Sequence, residues 1–417
     1  MRKQPQVSPP ETIAPKQPAS VITQVREYQL ITPLYGGGVK PTEADPITVV
    51  RATEIRGHLR FWWRACRGGK FNGNLKEMKK EEDAIWGKAY EKGDSMIPQE
   101  QVIQITVDVD SSRRGEPVKP FIITEKKRPK PSNNIPGYAA FPLQPDRDEL
   151  KKREPHVPDV RKGVSFSLTI SFPEGRRKDV EAALWAWETF GGLGARTRRG
   201  FGALHLLKLD GVSYTGYPFS NNVKKWINEK LINFVEPGVL PAGIPHLSRV
   251  AQVAVTSADD VMRVWKRLID NLQSFRQAGR PGRSLWPEAE AIRAISSGKD
   301  RPPSQKFPRA ALGLPIIFHF KDDSDPEDTT LKEAGEKMER FASPLILRPF
   351  LCRDNRAVGL ILLLEGSRVD LENLVLEDED KNKHSVKGTL TKSEAQKIPV
   401  LNGETDVLQA FMKKEMR

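Results

Sequence analysis

The chain has 417 residues, 38% of them hydrophobic, enough for two cores of ordinary size, so two domains are the expectation. Its 67 Lys and Arg against 54 Asp and Glu give a formal charge of +13, which favours polyanionic partners, nucleic acid first and an acidic membrane surface second. Two cysteines, Cys66 and Cys352, exclude a disulfide framework or a Cys-rich zinc site and point to a reducing, cytoplasmic setting, and no run of 18 apolar residues offers a membrane span.

In chain order, residues 1–20 are basic and Pro-rich, lack the apolar core of a secretory signal, and read as a disordered arm. Alternation in VITQVREYQLITPL predicts a strand over Val21–Leu34, ended by Gly36, Gly37 and Gly38. Helices are expected over Ala52–Arg67 and Leu75–Tyr90, then a strand over Val102–Asp110. Residues 111–162, rich in Pro, Lys and Arg with too little apolar periodicity for a core element, read as a long basic insertion.

A strand over Val164–Phe172, a helix over Asp179–Phe190 with Asp179 as cap and Gly191–Gly192 as stop, and a strand over Ala203–Leu209 complete a βαββαβ order. That order suits a split-βαβ, ferredoxin-like sheet, the layout of RNA-recognition folds, for a first domain spanning 21–212. Pro and Gly punctuation makes 213–247 a connector. A second small α/β domain over 248–417 is expected from strand VAQVAVT, a helix over Asp259–Gln277, and strands over Leu314–Phe320, Ser343–Phe350 and Ala357–Leu364, the last two joined by a turn at Asp354–Asn355. The fold class is therefore α+β, with the basic insertion in the first domain.

Within RATEIRGHLRFWWRACRGGK, helical spacing puts Ile55, Leu59, Trp62 and Cys66 on one stripe and Arg56, Arg60, Arg64 and Arg67 on another. A solvated charged face is the plain account of such a helix. Five arginines from Arg51 to Arg67, with no lysine among them, favour phosphate instead, because guanidinium forks pair with it bidentately. In GGLGARTRRGFG, Gly192, Gly194, Gly200 and Gly202 surround Arg196, Arg198 and Arg199, a loop whose backbone can approach a ligand closely. A helix C-cap is the alternative there, and three arginines make phosphate contact the preferred reading. No Gly-Lys-Ser/Thr follows, and the glycines come after a helix, so neither ATP nor a dinucleotide is expected as cofactor.

Weaker binding candidates are Gly36, Gly37, Gly38 and Lys40, equally readable as a flexible connector, and Trp286, which could stack a base but as readily pack in a core. Asp108 and Asp110 share a strand face with a spacing a cation could use, although an exposed acidic face is the preferred account. The six histidines show no HExxH or HxH spacing, so no metal site is expected. His58, inside the arginine-rich helix, is the one candidate general base for a metal-independent ribonuclease.

Taken together, ITPLYGGG, EIRGHLRFWWRA, GGLGARTRRGFG, FPRAALGLPIIFHF and SPLILRPF resemble the first-subunit family of the Cmr (type III-B CRISPR) effector complexes, within the RAMP superfamily. The resemblance spans nearly the whole chain. It implies two ferredoxin-like, RRM-like RAMP domains in a non-catalytic, cytoplasmic RNA-binding subunit of an antiviral ribonucleoprotein, holding the 3′ portion of the guide crRNA and its duplex with target single-stranded RNA. It implies contact with the other RAMP backbone and small subunits of such a complex, with cleavage left to other subunits whose HD and GGDD-type motifs are absent here. Carried onto this chain, it marks Arg56, Arg60 and Arg64, the glycines and arginines of the 192–202 loop, and more weakly Arg309 and Arg348. The alternative is a metal-independent endoribonuclease that processes precursor crRNA with His58 as base. A third reading, a scaffold for acidic protein partners only, needs no RNA.

Overall fold

The structure, a computed structural model, describes residues 20–38, 40–88, 103–240, 243–280, 283–298, 305–320, 325–335 and 340–416. Apart from Ser20, the expected arm at residues 1–20 lies outside them. Strand β1 (Val21–Leu30) alternates as its sequence requires, with Gln24, Arg26, Tyr28 and Leu30 turned inward. Helix α1 (Ala52–Arg67) follows, then α2 (Leu75–Trp86), β2 (Gln104–Asp108), β3 (Ser165–Pro173), α3 (Arg177–Phe190) and β4 (Leu204–Leu209). The core strands are ordered β2-β3-β1-β4, with every neighbouring pair antiparallel, and a short strand at Val212–Ser213 extends the β4 edge. This is the order of a split-βαβ sheet. The apolar stripe of α1 is buried as expected, with Ile55, Leu59 and Cys66 wholly enclosed.

Three expectations change. Asp179 does not cap α3, which starts at Arg177; its carboxylate instead accepts hydrogen bonds from Trp63 Nε1 and Arg67 Nε of α1, each at 3.0 Å. The insertion is not devoid of core: Phe121, Ile135, Ala139, Leu143, Val157 and Val160 are buried, in one cluster with Phe201, Trp265 and Ile269. Its apolar residues are too sparse to show a period, yet a short hairpin of Phe121–Ile123 with Pro129–Pro131 and a pairing of its two ends, Glu116–Val118 with Val160–Lys162, bring them together. The connector carries a helix, α4 (Val223–Phe234), whose Val223, Ile227 and Leu231 enter the main core at helical spacing.

The second half contains β5 (Val253–Val255), α5 (Val261–Arg276), β6 (Leu345–Leu351), β7 (Ala357–Leu363) and α6 (Val407–Glu415). Asp260 caps α5 by accepting from the N–H groups of Met262 and Arg263. The sheet here has three strands, β5-β7-β6, not the four of the ferredoxin-like layout. The expected strand within LPIIFHF, Ile316–Phe318, joins instead a separate sheet with Thr329–Glu333, Leu374–Glu377 and Lys383–Val386, over its own apolar cluster. Periodicity marked Ile316–Phe318 as a strand but not its three partners, and which sheet a strand joins is a long-range pairing that no local pattern encodes.

The two halves share one core, in which Ile346, Phe350 and Val358 cluster with Phe166, Trp185 and Leu206. Across this junction reaches Arg348 of β6, which is 0% exposed. Its Nη1 donates to the carbonyls of Glu188 (2.9 Å) and Gly191 (2.7 Å) at the end of α3, and its Nη2 to Leu204 O (2.9 Å). A guanidinium is the side chain whose geometry serves three separated acceptors at once. Burial pushes its pKa down to about 10. His205, stacked on Tyr217 at 4.7 Å, is likewise pushed down, to about 4, by burial and by the nearby Arg348 charge.

Replacing Arg348 by Ala strands these buried carbonyls and should lower unfolding free energy in urea by about 3–5 kcal/mol, with Arg348→Lys recovering only part of the loss. His205 binds its proton less readily folded than unfolded. Stability should therefore fall as pH drops from about 6.5 toward 4, on the order of 1–2 kcal/mol, and the fall should be absent from His205→Gln in pH-dependent denaturation.

Candidate nucleic-acid interface

Downstream of β1 the chain runs beside the glycine-rich loop. Gly202 N–H donates to Pro33 O at 2.9 Å and Ala195 N–H to Tyr35 O at 2.7 Å, so residues 33–35 and 193–202 form a continuous backbone seam. Gly194 has φ +76°, and a Cβ there would lie 2.4 Å from Tyr35 O, so only glycine permits this approach. Glu54, in the first turn of α1, closes the third side by accepting from Gly194 N–H at 2.6 Å.

These three elements surround an open cleft of about 640 Å3. Gly37 and Gly38 line it from the turn after β1, Arg51, Glu54 and His58 from the start of α1, and Gly194 and Ala195 from the loop. The N-terminus of α1 opens here without a side-chain cap, since Arg51 at the N-cap makes no capping bond. Orphan N–H groups and the positive end of the helix dipole both favour an anion at such a place. The acids nearby are engaged. Asp45 accepts from the N–H groups of Thr48 and Ile47 and pairs with Arg51 at 3.7 Å, and those contacts hold its carboxyl below the usual range. Arg51 stays about a third exposed and Lys40 mostly exposed. His58 Nε2 sits 3.6 Å from Glu54 Oε1, with its ring stacked toward Trp187.

Of the sequence candidates, Gly37, Gly38, Arg51 and Gly194 therefore meet in one cleft, with Gly36 and Lys40 in the adjoining turn. The other arginines expected to contact phosphate do not gather at this cleft, because they face internal acceptors. Arg56 donates to Trp86 O and Ile103 O; Arg60 bonds Glu82, Asp83 and Gly87 O; Arg64 pairs with Glu82. They bind α1 to α2 and to β2. Arg67 is buried between Asp179 and Glu236, at 3.0 and 2.7 Å. Burial alone would raise the Asp179 carboxyl, but Lys70 and the bonds from Arg67 and Trp63 hold it below its ordinary value.

The far half of the loop also turns inward. Arg198 donates to Ser343 O, Arg199 to Leu345 O at 2.9 Å, and Trp265 Nε1 to Arg199 O at 2.7 Å, which fixes the loop to β6 and α5. Desolvation, with Arg276 and Arg196 nearby, pushes Arg199 down to about 9. Gly200 is buried where a Cβ would meet Trp265 Nε1 at 2.5 Å, and Gly192 and Gly202 line the seam, not the cleft. Arg196 is half-buried, and its Nε has no partner among the described residues.

Three weaker candidates are core residues. Trp286 is 1% exposed and donates to Phe275 O at 3.0 Å; Arg309 pairs with the wholly buried Glu288 and donates to Arg276 O; Arg348 is the junction residue above. Trp286 was the packing case that its sequence left open. Sequence reasoning passed over Glu54, whose one signal was an acid three residues beyond Arg51 in the first helical turn. Asp110 caps a short turn at Ser111–Arg113. Among the described residues no group of three or more His, Cys, Asp or Glu could hold a metal ion, and no helix is long and apolar enough to cross a membrane.

The model of the RAMP superfamily matches residues 27–205. The curated CRISPR system Cmr subunit Cmr1-2 of Pyrococcus furiosus is 25% identical over 190 residues, which is 44% of this chain and 94% of that protein. The crystal structure of Cmr1 from Pyrococcus furiosus in its apo form aligns at 17% identity and TM-score 0.49, covering 91% of this chain and 96% of the other. The cryo-EM structure of a type III-B Cmr-beta complex bound to cognate target RNA contains a chain that aligns at 12% identity and TM-score 0.48, covering 94% and 99%.

The arginines should separate by thermal and chemical denaturation. Arg67→Ala leaves Asp179 and Glu236 uncompensated and should lose about 3 kcal/mol or more. Arg51→Ala, on a long and partly exposed pair, should stay within about 0.5 kcal/mol of the parent.

Proposed function

From a chain that carries a RAMP-superfamily domain over residues 27–205 and is related to curated Cmr1 subunits, we propose a non-catalytic RNA-binding subunit of a type III-B CRISPR effector complex. The observation that carries this reading is the uncapped N-terminus of α1 opening, with Arg51, into a cleft walled by the backbone of Gly37, Gly38 and Gly194. Phosphate is the ligand that suits the mouth of α1, since the N–H groups of its first turn, its dipole and the Arg51 guanidinium favour negative charge and none reads a base, while Gly38 and Gly194, whose N–H groups are given to Glu43 O and Glu54, shape the wall. Recognition would then depend on the strand's backbone and little on its sequence. That property fits a subunit holding the 3′ portion of a guide crRNA, paired or not with target RNA, beside other Cmr RAMP and small subunits. On this reading the two halves are RRM-like RAMP units, the second reduced to three strands in its main sheet.

Arg198 and Arg199 serve this function indirectly. By fixing the loop to the carbonyls of Ser343 and Leu345 they hold Gly194 and Ala195 at the cleft.

A second reading has one observation in its favour: His58 lines the same cleft, within reach of Glu54. It makes the chain an endoribonuclease with His58 as general base. Purified protein that cleaves repeat RNA in EDTA, and loses that activity in His58→Ala, would establish it.

For the preferred reading, the double variant Lys40→Glu/Arg51→Glu should bind single-stranded RNA about ten-fold more weakly at low salt, with the slope of log affinity against log salt shallower by about 1–2, while melting as the parent does. Unchanged affinity in filter binding across a salt series would defeat it.

A further inference from the structure

A second cavity, of about 180 Å3, shares no lining residue with the cleft. Its polar floor is on the inward face of β1, where Arg26 and Glu188 form an ion pair with side chains only 8% and 7% exposed. Arg26 Nη2 and Nε donate to Glu188 Oε1 at 2.8 and 3.2 Å, and Tyr28 donates to the same oxygen at 2.5 Å. Arg26 Nη1 donates to Gln24 Oε1 at 2.9 Å. A guanidinium has five N–H groups and a carboxylate two oxygens. Among the described residues these bonds leave one N–H on each terminal nitrogen of Arg26, and Glu188 Oε2, without a partner. A donor and an acceptor thus stand side by side on a buried, charge-balanced pair.

The walls are aromatic. Trp185 and Trp226 approach at 6.5 Å, Tyr214 adds a third ring, and Lys230 lies over Trp226 at 5.9 Å. Trp185 is 6% exposed and its Nε1 has no acceptor among the described residues. An ion pair buried in this way is costly unless its remaining polar groups are satisfied.

We propose that this cavity binds a single nucleobase. The Arg26–Glu188 pair is neutral overall, which disfavours a charged occupant, and aromatic walls favour a planar one. Every nucleobase carries a hydrogen-bond donor and an acceptor along one edge, matching Glu188 Oε2 and the free Arg26 N–H groups. The volume admits one heterocycle without its sugar and phosphate, so the base enters alone while Lys230 accompanies the backbone outside. Purines, with the larger stacking surface, bind more tightly than pyrimidines. This inference rests on the RNA-binding reading only for the source of the base, which is either a base turned out of a bound strand or a free nucleotide.

The full chain is titrated with guanosine, adenosine, cytidine and uridine, following tryptophan fluorescence. A saturable change is expected, strongest for a purine, and weakened at least about five-fold by Leu209→Trp, which fills the cavity. If that variant does not fold, Tyr214→Ala, a half-buried wall residue, carries the same comparison. In parallel, a single-stranded RNA is compared with versions bearing one abasic riboside at each position. Loss of about five-fold or more at one position assigns the base to the strand, whereas nucleoside binding with no abasic effect assigns it to a free nucleotide; either result supports the site. No saturable response to any nucleoside, together with no abasic effect, overturns it. RNA affinity that stays intact in that case leaves the cleft standing, because cleft binding is read separately by Lys40→Glu/Arg51→Glu.

Discussion

The arrangement of this molecule depends on one buried guanidinium. Arg348 reaches from the second half to the carbonyls of Glu188, Gly191 and Leu204, and so holds both ends of the glycine-rich loop. With its ends fixed and Arg198 and Arg199 bonded to Ser343 O and Leu345 O, the loop has little freedom left, and Gly194 is presented to the cleft against Glu54. The candidate interface is thus a product of the junction between the halves. A loop of this composition on a lone domain would lack the acceptors at Ser343 and Leu345 that orient it.

The charge of +13 has two distinct uses. Arginines with several acceptors in reach are internal: Arg26, Arg67 and Arg348 are buried, and Arg60 and Arg64 converge on Glu82. Their planar forks spread five N–H donors over carbonyls and carboxylates that lie too far apart for the single ammonium centre of a lysine to meet together. The exposed Lys40 and the partly exposed Arg51 sit beside a helix N-terminus that already favours an anion. A fixed backbone site with a few movable charges at its rim suits a polyanion that must be held without regard to sequence.

Much of the first sheet was legible beforehand. Period-2 alternation in VITQVREYQL and period-3.6 spacing in EIRGHLRFWW are direct records of which side faces the core, and both elements formed within a few residues of expectation. The helix stop at Gly191 and the turn at Asn355 were equally local. Asp179 shows where local reading stops: as a polar residue near a helix start it suits a cap, but Trp63 and Arg67, more than 100 residues earlier in the chain, claim its carboxylate. The arginine stripe failed in the same way, because a charged helical face looks identical whether water or Glu82 and Asp83 stand opposite.

The sequence by itself determined the elements of the first sheet and its two helices, the α+β class, the basic balance and the glycines that make a close backbone approach possible, since each follows from composition or from neighbours a few positions apart. Only the tertiary structure decided which guanidinium groups are internal and which remain at the cleft, that LPIIFHF joins a second sheet, and that an insertion without periodicity still has a core. A side chain's partner is chosen by whatever the fold brings within about 3 Å of it, and those groups come from distant parts of the chain.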